Sequence, residues 1–153
     1  MDLDRHIVSA TLDVFEKMIF LETTPQTARW ETTNHFEHHV TSMLGFSGDL
    51  AGMLYLHCPM AAARTLTEAL LGIDDIDRPE DIQDALGELA NMVAGGLKTS
   101  LGEQGTRLEI SIPTAISGSS YSINTLAGAQ GVGVPFTLAE SEFLVEIRYR
   151  SNP

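Results

Sequence analysis

Two periods alternate in the apolar positions along the chain. Over residues 4–20, Ile7, Val8, Leu12, Phe15, Met18 and Ile19 recur at helical spacing and predict a helix with one buried stripe. Thr23-Thr24-Pro25-Gln26-Thr27 breaks that pattern and reads as a loop. Residues 36–46 and 50–57 are β-rich, and Ser47-Gly48-Asp49 between them is a turn signal, so the pair predicts a hairpin. Gly45, Gly48 and Gly52 are expected to mark bulges or sharp twist in it. Pro59 suits the first turn of a second helix, which continues through Ala61–Leu71 to a natural stop at Gly72. The acidic run 74–77 reads as a linker. A third helix is predicted from Arg78 or Pro79 to about Leu101, with Glu80 and Asp81 at its positive end and Gly102 and Gly105 at its close. Strand candidates follow at 107–112, 119–126, 131–138 and 142–149. In the last, Phe143, Val145 and Ile147 share one face and Glu142, Glu146 and Arg148 the other.

A helix and hairpin, two helices and then several strands make an α+β fold, with helices packed on an antiparallel sheet and a long helix among them. The 153 residues fit a single domain, 1–153. A long helix followed by a glycine-rich hairpin occurs at 4–57 and again at 80–149, a repeat of pattern and not of identity.

Composition narrows the partners. A hydrophobic fraction of 43% with 20% charged residues is that of a globular chain. Residues 110–139 carry no charge, but their Ser, Gly, Asn and Pro make them too polar for a membrane span. Met1–Ile7 has three charges and no apolar run, so no signal peptide is expected. A formal charge of −12, with nine scattered Lys and Arg, argues against nucleic acid or anionic lipid as partners. The lone Cys58 forbids an internal disulfide or a Cys-based metal cluster. It is expected to be a buried structural residue in a cytoplasmic protein.

Chemistry concentrates on the third helix. At about 100° per residue, Glu88 falls about 40° from Asp84, Asn91 about 20° to the other side, and Gly95 about 20° away. Leu86, Leu89, Val93 and Leu97 occupy the opposite pole. The helix therefore buries an aliphatic stripe and turns two carboxylates and a carboxamide outward in one line. Such a polar face ordinarily does nothing but stay solvated. Two features invite a further reason: glycine in an exposed helix interior costs about 1 kcal/mol against alanine, and an exposed mid-helix asparagine adds no stability. At Gly95 a partner's backbone can approach closely.

Asp84, three residues, Glu88, two residues, Asn91, then twenty-one residues and Pro113: this pattern resembles the signature of the CheC/CheX/FliY chemotaxis phosphatases. Gly95 also sits where a glycine commonly follows the motif asparagine. The order of elements resembles CheX over nearly the whole chain. CheC carries two motifs, whereas the first helix here offers Asp13, Lys17 and Phe20 at the corresponding spacing, without the Glu and Asn. The resemblance implies a hydrolase that dephosphorylates the aspartate of a CheY-like response regulator in two-component signalling. Glu88 would pair with the regulator's active-site lysine, and Asn91 would orient the attacking water. Asp84 and Gly95 would complete the docking face, and Pro113 would fix the loop beside the site. No cofactor is implied for the chain itself; the Mg²⁺ belongs to the phosphorylated partner. A homodimer is implied too, and the uncharged 110–139 region offers it a sheet edge. The alternative of another class is a non-catalytic CheX-like docking module of a two-component or flagellar system.

Other constellations are weaker. His35, Glu37 and His39 would share one face of a strand and could be a metal set, but surface histidines explain them more simply. Gly128, Gly131 and Gly133 lack the Lys-Ser/Thr of a phosphate loop and read as hairpin glycines. The serines of 117–122 show no nucleophile-elbow pattern. Trp30 is expected to anchor either the core or an interface.

Overall fold

In a computed structural model, residues 2–31, 34–76, 78–124 and 128–151 are described. Helix α1 spans Leu3–Val14 and runs on as a π-helical turn, Phe15–Ile19, that ends where Phe20 adopts φ +60°. Strands β1 (His35–Gly48) and β2 (Leu50–Pro59) form the predicted hairpin. Helix α2 (Met60–Leu71) follows Pro59 directly and stops at Gly72, which is left-handed at φ +70°. Helix α3 is Pro79–Glu103. Strands β3 (Leu108–Ile110), β4 (Thr114–Ser122), β5 (Gln130–Leu138) and β6 (Ser141–Ser151) complete the chain.

The strands form one antiparallel sheet in the order β3-β1-β2-β6-β5, and β4 continues along β1 beyond β3. The α+β expectation holds. The helices cover one face, where Leu44, Leu54, Leu56, Val134, Phe136, Val145 and Ile147 meet Ile7, Leu66, Leu86, Leu89 and Leu97. Cys58 lies fully buried in this core, and burial pushes its thiol pKa up, so it is inert as a nucleophile.

The repeat is visible in three dimensions. Helix α1 packs on β5 and α3 packs on β1. The helices cross closely at Ala10 and Gly96, where a Cβ on the glycine would lie 3.2 Å from the Ala10 methyl.

Several expectations need correction. Gly45 and Gly52 are not bulges: the β1–β2 register is unbroken through Gly45 to Gly52, and the β2–β6 register is unbroken through Gly52. Gly52 is required by close approach, since a Cβ there would stand 2.0 Å from the Arg148 carbonyl oxygen of β6. Gly48 does turn the chain, at φ +126°. The run 107–112 is strand only over Leu108–Ile110; Ser111 N–H still donates to Gly45 O, and the register against β1 shifts by one residue before β4 begins at Thr114. The strand placed at 119–126 lies at Thr114–Ser122 instead; residues 125–126, like Asp77 of the acidic linker, are outside the described residues. Gly131 and Gly133 belong to β5 itself, in its hairpin with β6, and Gly128 turns the chain before it at φ +78°. The loop at 23–27 is not free. Gln26 N–H donates to Pro135 O, Arg29 and Gly133 exchange backbone bonds, and Thr137 N–H donates to Thr24 O, so this segment lies along the outer edge of β5. Trp30 is 60% exposed and so is no core anchor.

The far face of the sheet holds a second, polar layer. Glu146 and Arg148, both under 4% exposed, meet His57 there: His57 Nε2 donates to Glu146 Oε1 at 3.0 Å, and Arg148 reaches the same oxygen at 3.3 Å. With Nε2 carrying the proton, His57 Nδ1 accepts from Thr41 Oγ1 at 2.9 Å, and Thr41 in turn accepts from Tyr121 Oη at 2.7 Å. Phe36 stacks on the imidazole, and Tyr55 lies beside it and under the Arg148 guanidinium.

Burial depresses the His57 pKa, a pull that the Glu146 hydrogen bond only partly offsets. The unfolded chain therefore takes up this proton before the folded one does. The stability from neutral His57 is complete above its ordinary value of 6.5 and drains away as pH falls toward the folded value. The urea midpoint is expected to fall between about pH 7 and pH 5, and less steeply in His57→Asn. An equal slope in the variant would remove His57 from the account.

Candidate phosphatase face

The site is built on α3. Its buried stripe — Ile82, Ala85, Leu86, Leu89, Ala90, Val93, Ala94 and Leu97 — fixes the rotation of the helix against the sheet. With that stripe inward, Asp84 and Glu88 are exposed and Asn91 is half-buried. Among the described residues, none of these three side chains has a hydrogen-bond or ion-pair partner. The rotation predicted from the sequence is the one observed.

The opposite wall is the β3–β4 connection. Asp84, Glu88 and Asn91, together with Gln83 and Gly87, line a groove of about 610 Å³ whose other side is the segment Ile110–Ala115. Pro113 is part of that wall. It packs on Gly87, where a Cβ would lie 3.6 Å from Pro113 Cγ, an ordinary contact. Gln83 Nε2 donates to Ser117 Oγ at 3.0 Å and ties α3 to β4 at the end of the groove. Four of the motif positions, Asp84, Glu88, Asn91 and Pro113, are therefore brought together although Pro113 is remote in sequence.

Gly95 stands apart from them. It lies one turn further along α3 in a neighbouring groove against α1, lined by Ser9, Asp13, Glu16 and Thr99 among others. Nothing lies within 4 Å of the Cβ it lacks, so the backbone there is open to a visitor. On α1, Asp13 and Lys17 are exposed, and Phe20 lies just past the π-helical turn at φ +60°. Lys17 pairs with Asp13 at 3.0 Å, an exposed one-turn ion pair.

Of the alternative chemistries, the histidine cluster does not assemble. His39 Nδ1 bonds to the Glu37 carbonyl and its ring turns toward Phe36, while His35 faces Glu37 at 3.5 Å. Among the described residues, no three His, Cys, Asp or Glu side chains are placed to hold a metal ion. No helix there is long and apolar enough to cross a membrane.

The fold and groove define a class: an α+β protein that presents a helical acid–amide pair beside a proline-anchored loop. Residues 40–137 match the family described as chemotaxis phosphatase CheX, and the chain belongs to that family. The CheY-P phosphatase CheX of Thermotoga maritima is 29% identical over 128 residues, which cover 80% of this chain and 83% of that one. The structure of CheX from Desulfovibrio desulfuricans superposes with a TM-score of 0.89 at 25% identity, over 98% of this chain and 100% of that one. CheX of Borrelia burgdorferi, solved in a CheX–CheY–BeF3–Mg²⁺ complex, shares the fold with a TM-score of 0.83 at 21% identity, over 98% and 99% of the two chains.

Proposed function

We propose that this chain is a cytoplasmic protein-aspartyl-phosphate phosphatase that acts on a phosphorylated CheY-like receiver. Glu88 and Asn91 enter the receiver's active site from the groove on α3. The reading is carried by one observation: among the described residues, Glu88 and Asn91 stand unpaired on one outward line of a helix whose rotation is locked by its buried stripe. Membership of the chemotaxis phosphatase family supports it.

The substrate is an acyl phosphate, already labile, whose transfer depends on positioning more than on covalent help. Asn91 offers a neutral amide to hold a water in line; a carboxylate there would be repelled by the phosphoryl oxygens. Aligning one water is worth several kcal/mol of barrier. Glu88 pairs with a cation of the receiver and so registers the two surfaces. The groove itself contributes two carboxylates and no Lys or Arg. The phosphoryl charge must then be balanced by groups the partner brings, its lysine and Mg²⁺. The measurement follows from that asymmetry. The protein is expected to speed loss of ³²P from a phosphorylated receiver well above spontaneous decay, and to leave free acetyl phosphate and p-nitrophenyl phosphate untouched. Equal action on these two small phosphate compounds, or none on any receiver, would refute the reading.

We also infer a homodimer. Strand β4 is uncharged and, among the described residues, pairs only along its β1 side, so its outer edge is open. Light scattering at micromolar concentration is expected to give twice the chain mass; a monomer would overturn this.

A further inference from the structure

We propose that Ile112 is the apolar docking anchor of the phosphatase face, inserted by this chain into an apolar hollow of the receiver beside its phosphorylated pocket. The proposal rests on the reading of the α3 groove given above. Ile112 is 87% exposed, more than any other large hydrophobic side chain described. Single exposed apolar residues are common and need no explanation by themselves. This one is distinguished by where it stands and how it is held.

Ile112 lines the same groove as Glu88 and Asn91, on the facing wall. Both its neighbours are pinned. Ser111 N–H donates to Gly45 O at 2.9 Å, and Gly45 N–H donates back to Ser111 Oγ at 2.8 Å. Pro113 packs on Gly87. The segment between two anchors cannot fold its middle residue back into the core. Isoleucine is also stiff at χ1, so little side-chain entropy is lost when it docks.

Energetics require such a residue. Glu88, Asp84 and Asn91 must shed water to enter a partner's pocket, and paired charges do little more than recover that cost. A net charge of −12 gives no long-range attraction to an acidic partner. Affinity must come from short-range apolar burial, and among the described residues Ile112 is the one large apolar side chain exposed on the groove's rim. Fully burying an isoleucine is worth about 1.5–3 kcal/mol, which corresponds to roughly 10- to 150-fold in Kd. Ile112 touches no reacting atom in this account; it acts on docking alone.

The test uses the full chain and a stand-alone CheY-type receiver loaded with beryllofluoride and Mg²⁺, then the same receiver phosphorylated. Ile112→Ser is expected to raise both Kd and KM at least tenfold, with turnover at saturation and Tm retained, because the residue is exposed. Ile112→Leu is expected to keep most of the affinity. Unchanged Kd in Ile112→Ser, a loss carried by kcat, or no binding of the receiver by the wild type overturns the proposal. The two readings fail separately. A wild type that binds but adds nothing to spontaneous decay, with binding lost in Ile112→Ser, ends the catalytic reading and keeps the anchor. Turnover lost in an Asn91 variant while Ile112→Ser matches wild type does the reverse.

Discussion

Asn91→Ala is expected to slow receiver dephosphorylation at saturation by on the order of 10²–10³-fold while changing the Kd for a beryllofluoride-loaded receiver less than about threefold. The split follows from the geometry. Asn91 is half-buried at the floor of the groove and bonds to nothing else in the described chain, so its removal disturbs no internal network. Tm should stay within the spread of ordinary surface substitutions, about 0.5 kcal/mol in stability. Asn91→Asp preserves the shape and adds a charge. It should lose at least as much rate, because a carboxylate both repels the phosphoryl oxygens and cannot donate the amide hydrogen bond. Equal rates for wild type and either variant would leave the helix face a docking surface only.

The second large effect lies on the other side of the sheet. Glu146→Ala is expected to cost about 3 kcal/mol or more, read as a drop in the denaturant midpoint at constant m. In a chain of 153 residues that amounts to a Tm loss of roughly 6–12 °C. The reason is what remains. Glu146 Oε1 is shared by His57 at 3.0 Å and Arg148 at 3.3 Å in a site with almost no solvent contact. Without the carboxylate, the guanidinium stays buried with the counter-charge 3.3 Å away removed, and the His57 N–H loses its acceptor. Glu146→Gln keeps an acceptor for one of them and should cost less. A midpoint shift under 1 kcal/mol for Glu146→Ala would show that the rest of the layer carries the charge unaided.

These two sites differ in how readable they were. The α3 face could be placed because a 25-residue helix with a continuous aliphatic stripe has a single rotation that buries Leu86, Leu89, Val93 and Leu97 together, and Asp84, Glu88 and Asn91 follow from it. Pro113 could be assigned to the site only by resemblance, since no local pattern connects it to α3. The polar layer could not be read at all. Thr41, His57, Tyr121, Glu146 and Arg148 come from four strands, and in each strand they occupy the alternate positions that normally face water. The limits of β4 are hidden in the sequence for a related reason. Its Ser- and Gly-rich edge sequence has no apolar alternation to fix its limits, whereas β6, with Phe143, Val145 and Ile147 inward, was placed within two residues at each end.

The segment that carries Thr24, Gln26 and Arg29 along β5 has a consequence for assembly. It lies along one margin of the sheet, so among the described residues the margin left open to β-pairing is the one that β3 and β4 form beside β1. In the homodimer proposed above, joining two copies there would use up both open sides and leave nowhere for a third to attach. Strand-to-strand growth would then be self-terminating, and an uncharged ribbon able to seed fibres would be limited to a closed pair.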